Sequence, residues 1–584
     1  MTTQATSKAT NKEFHTITEG SVTMRFPADQ ATTVFYNPVQ VQNRDLSVLM
    51  ISLFAEERAV ELAVQRKKVQ LKKERAATAA AGEPTEDKPP LKQLLEEYRQ
   101  ELLPKARQLL QEQDVSNDGL NILDALAASG LRSIRYWKEI PGVRHVTVND
   151  IEVAAVERAR QNCTLNGIEP KDGNSAPSQT PGVVIQRGDA IQEMYQSRKP
   201  LIPDLYSSHT DDTSDATNGN NDTSCHPNSP RSPRYHQPWN VIDLDPYGSS
   251  APFLDAALQA IEEGGLLCVT CTDMRALGGG SPETCYGRYA AIPIQRAGYL
   301  QEMAVRILLQ SMATTAAKYG RIIRPRLSVG MDFYVRVFVT VHEDRNSVRD
   351  LSLRIGKVFQ STQCQSFVIV PEAIMGGDKG NVFRAARAPS TCEETGASYK
   401  IGGPLWLGPM HDKAMVGKAL ERLSATKGGS SKPDLQYITT KNRLQALLQH
   451  CAEELPDVPL FYRVNDMARL CKMSPPPLAD IHAFLLNAGY RVSGYHKDPN
   501  ATKTDAPNHV LWDIIRAFAA KDPPKKPLPE DSAAHAILAK PIQTKVDFRR
   551  PLKGLRQKRT KTDVARFPSN PRANWGPRKK AKRR

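Results

Sequence analysis

The hydrophobic pattern changes character near residue 120. Residues 121–126 (NILDAL) form a short apolar run that leads into Ala127, Ala128, Ser129 and Gly130, and residues 131–139 follow with helical spacing. The alternation then repeats. Residues 145–150 (HVTVND) precede a helical stretch over 151–166 stopped by Gly167, and 183–186 (VVIQ) run into Gly188-Asp189-Ala190. Residues 239–244 run into Asp245-Pro246-Tyr247-Gly248, a helix is expected over 253–263, and a fifth strand over 265–272. Short apolar strands alternating with helices predict an α/β, doubly wound parallel sheet. Such sheets bind ligands at the carboxyl ends of their strands. Beyond Arg321 a second region begins, with a β-branched and aromatic strand at 331–341, a turn-rich GGPLW segment at 402–406, and helix, proline-rich turn and helix within 461–516.

Outside this alternation the pattern weakens. Residues 1–20 predict disorder, 21–56 mix β-prone and apolar positions, and 57–113 predict a charged, solvated helical insert. Residues 169–182 and 203–238 are polar interruptions, and the second, rich in Ser, Thr, Asp, Asn and Pro, predicts a disordered loop. The expected organisation is a disordered 1–20, a sheet domain over 21–329, an α+β domain over 330–520 and a disordered basic tail over 521–584.

Charge sharpens the reading of the tail. Residues 541–584 carry 16 Lys/Arg and two acids, which leaves 63 Lys/Arg and 61 Asp/Glu on the rest of the 584-residue chain. A near-neutral body with a polycationic tail points to a polyanionic partner, nucleic acid above all. The closing RKKAKRR (578–584) also suits nuclear import. The N-terminus has no apolar core of a secretory signal, and its acid-poor, Ser/Thr-rich composition is compatible with a mitochondrial address. No apolar run approaches the roughly 20 residues of a membrane helix, so no membrane partner is expected. Nine cysteines in 584 residues predict reduced thiols and no disulfide scaffold.

Candidate chemistry lies at the predicted strand ends. Asp124 opens the small-residue loop, where a ligand can approach the backbone closely; the loop lacks GxGxxG, which disfavours a nicotinamide cofactor. Asp150 ends the second strand, where a carboxylate can accept from both hydroxyls of a ribose. Asp189, followed by Ala190, ends the third, where an adenine amine would lie. Acids on successive strand ends predict a nucleoside-containing cofactor. S-adenosylmethionine fits better than NAD, because it has no pyrophosphate to place at a helix N-terminus.

The turn Asp245-Pro246-Tyr247-Gly248 ends the fourth strand and is similar to the acid-Pro-aromatic turn of methyltransferases that act on exocyclic base amines. An aryl amine is a poor nucleophile because its lone pair is delocalised. The Asp245 carboxylate can accept a hydrogen bond from it and orient the lone pair. Pro246 fixes the turn, and Tyr247 can stack on a base turned out of its helix. Near the N-terminus, Phe35-Tyr36-Asn37-Pro38 and Asn43-Arg44-Asp45 suggest a loop close to a ligand, with Arg44 suited to a carboxylate. Each feature alone also reads as a packed turn or surface turn; their conjunction favours chemistry.

The segments FYNPVQ (35–40), NRDLS (43–47), DALAASGLRSIRY (124–136), ND (149–150), GDA (188–190), DLDPYGSS (243–250), TDMRALGG (272–279), CYGRYA (285–290) and GGPLWLGPMHD (402–412) together resemble the tRNA (guanine-26) N2-dimethyltransferases. The resemblance implies a Rossmann-like S-adenosylmethionine-dependent methyltransferase domain followed by a tRNA-binding C-terminal domain. It implies cofactor contacts at Arg44, Arg132, Asp150, Asp189 and Ala190, with Asp124 at the head of the loop, and a base site at Asp245 flanked by Phe35 and Tyr247. The implied reaction is one or two methyl transfers to a guanine amine in folded tRNA; the sequence leaves the oligomeric state open, with a monomer as the expectation. Many members of that family carry paired CxxC units before GGPLW. Here only the separate Cys364 and Cys392 remain, too few for a tetrahedral site, so no structural zinc is expected. The competing readings are a methyltransferase for another exocyclic amine, such as adenine N6 in DNA, a non-catalytic RNA-binding or RNA-folding protein of the same fold, and an oxidoreductase.

Overall fold

The computed structural model describes residues 14–27, 36–80, 89–173, 180–198, 239–376, 382–424, 435–549 and 565–571. Residues 1–13 and the predicted loop at 203–238 lie outside them. Within the stretch expected to be disordered, strand β1 (Phe14–Glu19) instead pairs with β2 (Val22–Pro27) in an antiparallel hairpin that turns at Gly20, φ +60. Alternation explains it: Val22, Met24 and Phe26 are buried on one face.

Helix α1 (Val41–Ala80) begins well before the predicted insert. Leu46, Leu49, Met50, Leu53 and Phe54 are buried at the three-and-four spacing of a helix face. β-prone composition masks that period in the sequence. Only the distal part of α1 is charged and solvated, where it meets α2 (Leu91–Leu102) and α3 (Ala106–Glu112). Asn37 caps the approach to α1: its side chain accepts from Val39 N, and Pro38 occupies the first turn.

The central sheet contains β3 (Leu120–Asp124), β4 (Val143–Asp150), β5 (Lys171–Asp172), β6 (Gly182–Arg187), β7 (Trp239–Leu244), β8 (Ile261–Cys271), β9 (Arg321–Met331) and β10 (Tyr334–Glu343). Their spatial order is β5-β6-β4-β3-β7-β8-β10-β9. Strands β3 to β8 are parallel, while β10 runs antiparallel between β8 and β9. The α/β prediction holds, with helices α4 (Leu131–Glu139), α5 (Val153–Leu165), α6 (Ala190–Gln196), α7 (Ala251–Ala260) and α8 (Leu300–Ala317) covering the faces. The predicted boundary at 329/330 does not hold. It falls inside β9 and separates most of that strand from β10, whose Val335 to Thr340 pair with Cys271 to Leu266 in the same sheet.

The C-terminal region clasps both faces of that sheet. One apolar core joins α7 and α8 to Val358, Leu405 and Trp512; the other joins α1 and α4 to Met415, Val416, Leu444 and Leu448. The region holds a three-stranded sheet of β11 (Ile355–Ser361), β12 (Phe367–Pro371) and β15 (Tyr399–Trp406), beside the pair β13 (Ala373–Gly376) and β14 (Val382–Ala385). Helices α9 (Lys413–Ser424) and α10 (Lys441–Glu453) follow, then β16 (Tyr462–Arg463), β17 (Val492–Tyr495) and β18 (Asp498–Thr504). The open edge of β9 is capped by imidazoles: Gly330 N donates to His496 Nε2 at 2.9 Å and Ser328 N to His411 Nδ1 at 3.4 Å.

Part of the segment read as a foldless tail is also packed. Residues 533–538 form a short helix with Ile537 buried, Phe548 lies on Phe484 and Phe518, and Asn487 donates to the Asp547 and Arg549 carbonyls. Further on, Phe567 stacks on His450 at 4.3 Å and Arg443 donates to Ser569 O. Residues 550–564 and 572–584 lie outside the described set.

One glycine in the loop after β3 is dictated by geometry. Gly130 has φ +76, and a Cβ there would lie 3.1 Å from Ala159 Cβ. A left-handed backbone costs a side-chain-bearing residue about 1–2 kcal/mol. Gly130→Ala is therefore expected to lower the urea-unfolding free energy by at least that much, and an unchanged midpoint would contradict this account of the loop.

Candidate active site

The carboxyl ends of β3, β4 and β6 are drawn together by backbone and amide hydrogen bonds. Ala127 N donates to Asn149 O at 2.9 Å, and Asn149 Nδ2 donates to Ala125 O at 3.0 Å and Gly188 O at 3.1 Å. Asp150 Oδ2 accepts from Ala128 N at 2.9 Å, and its Oδ1 accepts from Glu152 N at 2.9 Å. Ala128 takes a φ of +50 to make that contact. Asp189 is exposed and caps α6, accepting from Ile191 N at 2.8 Å, with Ala190 buried beneath it. Both carboxylates keep lone pairs beyond those bonds, because each oxygen accepts two.

Asp245, beyond the end of β7, is the partly exposed acid of the group, its side chain 25% accessible. Arg132 NH2 donates to its Oδ2; among the described residues none donates to Oδ1. The turn that follows is pinned to β8: Gly248 N donates to Thr272 Oγ1 at 2.8 Å and Thr272 N to Gly248 O at 2.9 Å. That turn leaves Tyr247 77% exposed, and partial desolvation of its hydroxyl, then the Asp245 and Asp150 charges, raise its pKa. Phe35 lies outside the described residues.

Other predicted site residues stand elsewhere than expected. Asp124 is buried and points inward, accepting from Ser133 Oγ at 2.5 Å. Burial, then the Asp243 charge, pushes its carboxyl up to about 7. The Arg44 fork is occupied by Glu19, with Nε 2.6 Å from Oε1 and NH2 2.5 Å from Oε2, and NH2 also donates to Asn37 O at 3.3 Å. Burial opposes the Glu19 charge, but Arg44 and Arg135 outweigh it and hold that carboxyl below its ordinary value. Arg135 is itself enclosed by Glu19 at 3.0 Å, Asp45 at 2.8 Å and Glu139 at 2.9 Å. Arg132 turns to Asp243 and Asp245.

Behind Asp245 lies a group that the sequence reading missed. Asp243 is fully buried and accepts from Arg336 NH1 at 2.7 Å, Arg132 NH1 at 3.2 Å and the Tyr136 hydroxyl. Its signal in the sequence is a single charge inside an otherwise apolar strand, WNVIDL, matched by Arg336 inside FYVRVFV. A lone charge on a buried strand needs a partner.

The described residues contain one set of three or more metal-ligand side chains: His411, Cys451, Glu454 and His496, all buried, with ligand atoms within 4.8 Å of one another. Their hydrogen bonds do not suit a metal. His496 Nε2 accepts from Gly330 N at 2.9 Å, so the ring proton sits on Nδ1, where it donates to Glu454 Oε1 at 2.7 Å. A metal-bound imidazole needs the reverse, a lone pair toward the metal and a proton on the far nitrogen. The set is instead a carboxylate held by two imidazoles that clip the β9 edge. Cys364 and Cys392, separate in sequence, meet with Sγ atoms 3.7 Å apart.

Two outcomes follow from these assignments. The folded pKa of Asp124, near 7, stands above the unfolded value of about 3.9. Its contribution to stability is therefore full below about pH 4 and is lost as pH rises through 7. Asp124→Asn should raise the unfolding midpoint relative to wild type by an amount that grows from pH 5 to pH 8; a gap independent of pH would refute the inward, neutral acid. Elemental analysis of the purified protein should return far less than one zinc per chain. A stoichiometric zinc lost in the His496→Ala variant would overturn the tautomer assignment.

Comparison with known proteins bears on the family and the fold. The family model described as N2,N2-dimethylguanosine tRNA methyltransferase matches residues 9–200 and 221–516. The chain is 36% identical to the tRNA (guanine(26)-N(2))-dimethyltransferase of Mus musculus, over 97% of this chain and 77% of that protein. It is 33% identical to the Schizosaccharomyces pombe protein of the same name, over 97% of this chain and 93% of the relative. The fold is similar to that of Trm1 from Pyrococcus horikoshii in its complex with S-adenosyl-L-methionine, with TM-score 0.57, 24% identity and coverage of 85% of this chain and 98% of that one. On the extent of these matches, the chain belongs to the N2,N2-dimethylguanosine tRNA methyltransferase family.

Proposed function

We propose that this protein is an S-adenosylmethionine-dependent methyltransferase that places one or two methyl groups on the exocyclic N2 amine of guanine 26 in tRNA. The observation that carries the reading is Asp245: a partly exposed carboxylate just beyond the carboxyl end of a central strand, anchored through one oxygen by Arg132, two residues before the exposed Tyr247 ring.

The strand ends fit the proposed cofactor. Asp150 offers acceptors for a ribose diol at the end of β4, and Asp189 with the Ala190 backbone offers a polar edge for adenine at the end of β6. The tight loop through Ala128 and Gly130 turns in left-handed conformations beside them, with Gly130 packed close against Ala159. S-adenosylmethionine, when bound, supplies an activated methyl group. The chain's own residues do the rest. Tyr247 stacks on the turned-out guanine, and Asp245 Oδ1 accepts a hydrogen bond from N2, which directs the nitrogen lone pair toward the cofactor side; as the N–C bond forms and the S–C bond of the donor breaks, leaving a neutral thioether, the carboxylate stabilises the positive charge on N2 and takes its proton. Because Arg132 fixes Oδ2, the carboxylate need not reorganise during the step. The C-terminal region and the basic tail hold the tRNA body, and the tail's RKKAKRR directs the protein to the nucleus, with the N-terminal composition suited to a mitochondrial pool as well.

Three measurements test the proposal. Asp245→Ala should lower the rate of methyl transfer by at least about 100-fold, a usual scale for a positioned acid-base group, while the tRNA dissociation constant stays within about twofold. Nucleoside mass spectrometry should place the wild-type label on dimethylguanosine; label on methyladenosine, or an unimpaired Asp245→Ala enzyme, refutes the reading. Residues 572–584 hold seven Lys/Arg and no acid. Truncation after Pro571 should therefore flatten the dependence of log affinity for tRNA on log salt, by up to about 0.9 for each phosphate that the tail neutralises; an unchanged slope removes the tail from the interface.

A further inference from the structure

We infer that Arg336 and Asp243, buried behind the site and in contact with neither base nor cofactor, are positioning residues that set Asp245 through Arg132. The inference rests on the Asp245 reading above and adds the machinery that holds it.

The geometry is a closed relay. Arg336 enters from β10, whose register places it beside Thr270 on β8, and Asp243 enters from β7 on the other side of that strand. Arg336 NH1 donates to Asp243 Oδ1 at 2.7 Å and to Thr270 Oγ1 at 2.9 Å, and its NH2 donates to Ser47 Oγ at 2.8 Å. Arg132 NH1 donates to the same Ser47 Oγ at 3.0 Å and to Asp243 Oδ2 at 3.2 Å, which turns its NH2 toward Asp245. Ser47 gives its own proton to Asn43 O at 2.8 Å, so both of its lone pairs serve the two guanidiniums. Tyr136, one helical turn after Arg132 on α4, donates to Asp243.

The charges also close. Two guanidiniums are balanced by Asp243 and Asp245, and every member but Asp245 is nine-tenths or more buried. Such an ion group is costly to desolvate and has few alternative arrangements. If Asp243 were neutral, the two arginines would repel and Arg132 would shift toward Asp245. If Arg336 were lost, Asp243 would draw Arg132 inward and release Asp245. Either change moves the oxygen that meets the amine, and misplacement of about 1 Å at a reacting group can cost about 100-fold in rate. Lysine cannot replace Arg336, because a point charge does not reach Asp243, Thr270 and Ser47 together.

The test uses the full-length enzyme and tRNA in single-turnover methylation, with calorimetry for S-adenosylmethionine and tRNA binding. Ser47→Ala and Tyr136→Phe leave every charge in place and are the variants expected to fold; Arg336→Lys is the stronger perturbation. Each should lower the methyl-transfer rate about 10- to 100-fold, with both dissociation constants within about twofold. None should lower it further in an Asp245→Asn background. Unchanged rates in Ser47→Ala and Tyr136→Phe, or equal losses with and without Asp245, would overturn the relay while leaving the role of Asp245 intact. An Asp245→Asn enzyme as fast as wild type would instead overturn the earlier reading.

Discussion

The structure depends on a buried charge that has no exit. Asp243 is the penultimate residue of a buried strand at the centre of the sheet, and removing a carboxylate from water is tolerated only with strong, directed partners. Arg336, Arg132 and Tyr136 supply them from β10 and α4, while Ser47 on α1 bridges the two guanidiniums. Burial disfavours the Asp243 charge, yet the Arg336 and Arg132 guanidiniums hold its carboxyl below the ordinary value. The elements that meet at this point span almost the whole methyltransferase body, so the ion group fixes both the fold and the direction in which Arg132 faces Asp245.

Around that node the site divides between rigid and open parts. The β4 and β6 ends are tied by Asn149 and by backbone contacts to the loop after β3, where Gly130 and Ala128 adopt left-handed conformations. Tyr247 projects outward from a turn pinned by Thr272. The proposed cofactor edge, built in advance, and the proposed base platform, facing solvent, would suit a reaction in which a small molecule is held still and a large nucleic acid brings one nucleotide in. The C-terminal region packs on both faces of the sheet and clips its open edge with His411 and His496, so it shares a hydrophobic core with the site it serves.

Much of this was legible in the sequence, and the failures have physical causes. Strands β3, β4, β6, β7 and β8 announce themselves as apolar runs, and Asp150, Asp189 and Asp245 lie at their ends as the doubly wound rule requires. Helix α1 was hidden because its apolar period at 46, 49, 50, 53 and 54 is written in residues that also suit strands. Arg336 was hidden because its partner lies 93 positions away across a third strand, a pairing no local pattern encodes. The inward turn of Asp124 and the capture of Arg44 by Glu19 depend on tertiary packing alone. The tail escaped because Phe548 and Phe567 are isolated apolar residues among basic residues and prolines, and the run that carries Ile537 forms a helix of only six residues.

The central claim is that a carboxylate at the end of β7 directs the exocyclic amine of one guanine to the methyl donor. It is tested most directly by single-turnover methylation of two otherwise identical tRNAs, one with guanine and one with inosine at position 26, the latter lacking only the N2 amine. The account predicts label on the guanine tRNA and none on the inosine tRNA, with both bound equally well. Equal methylation of the two would contradict it.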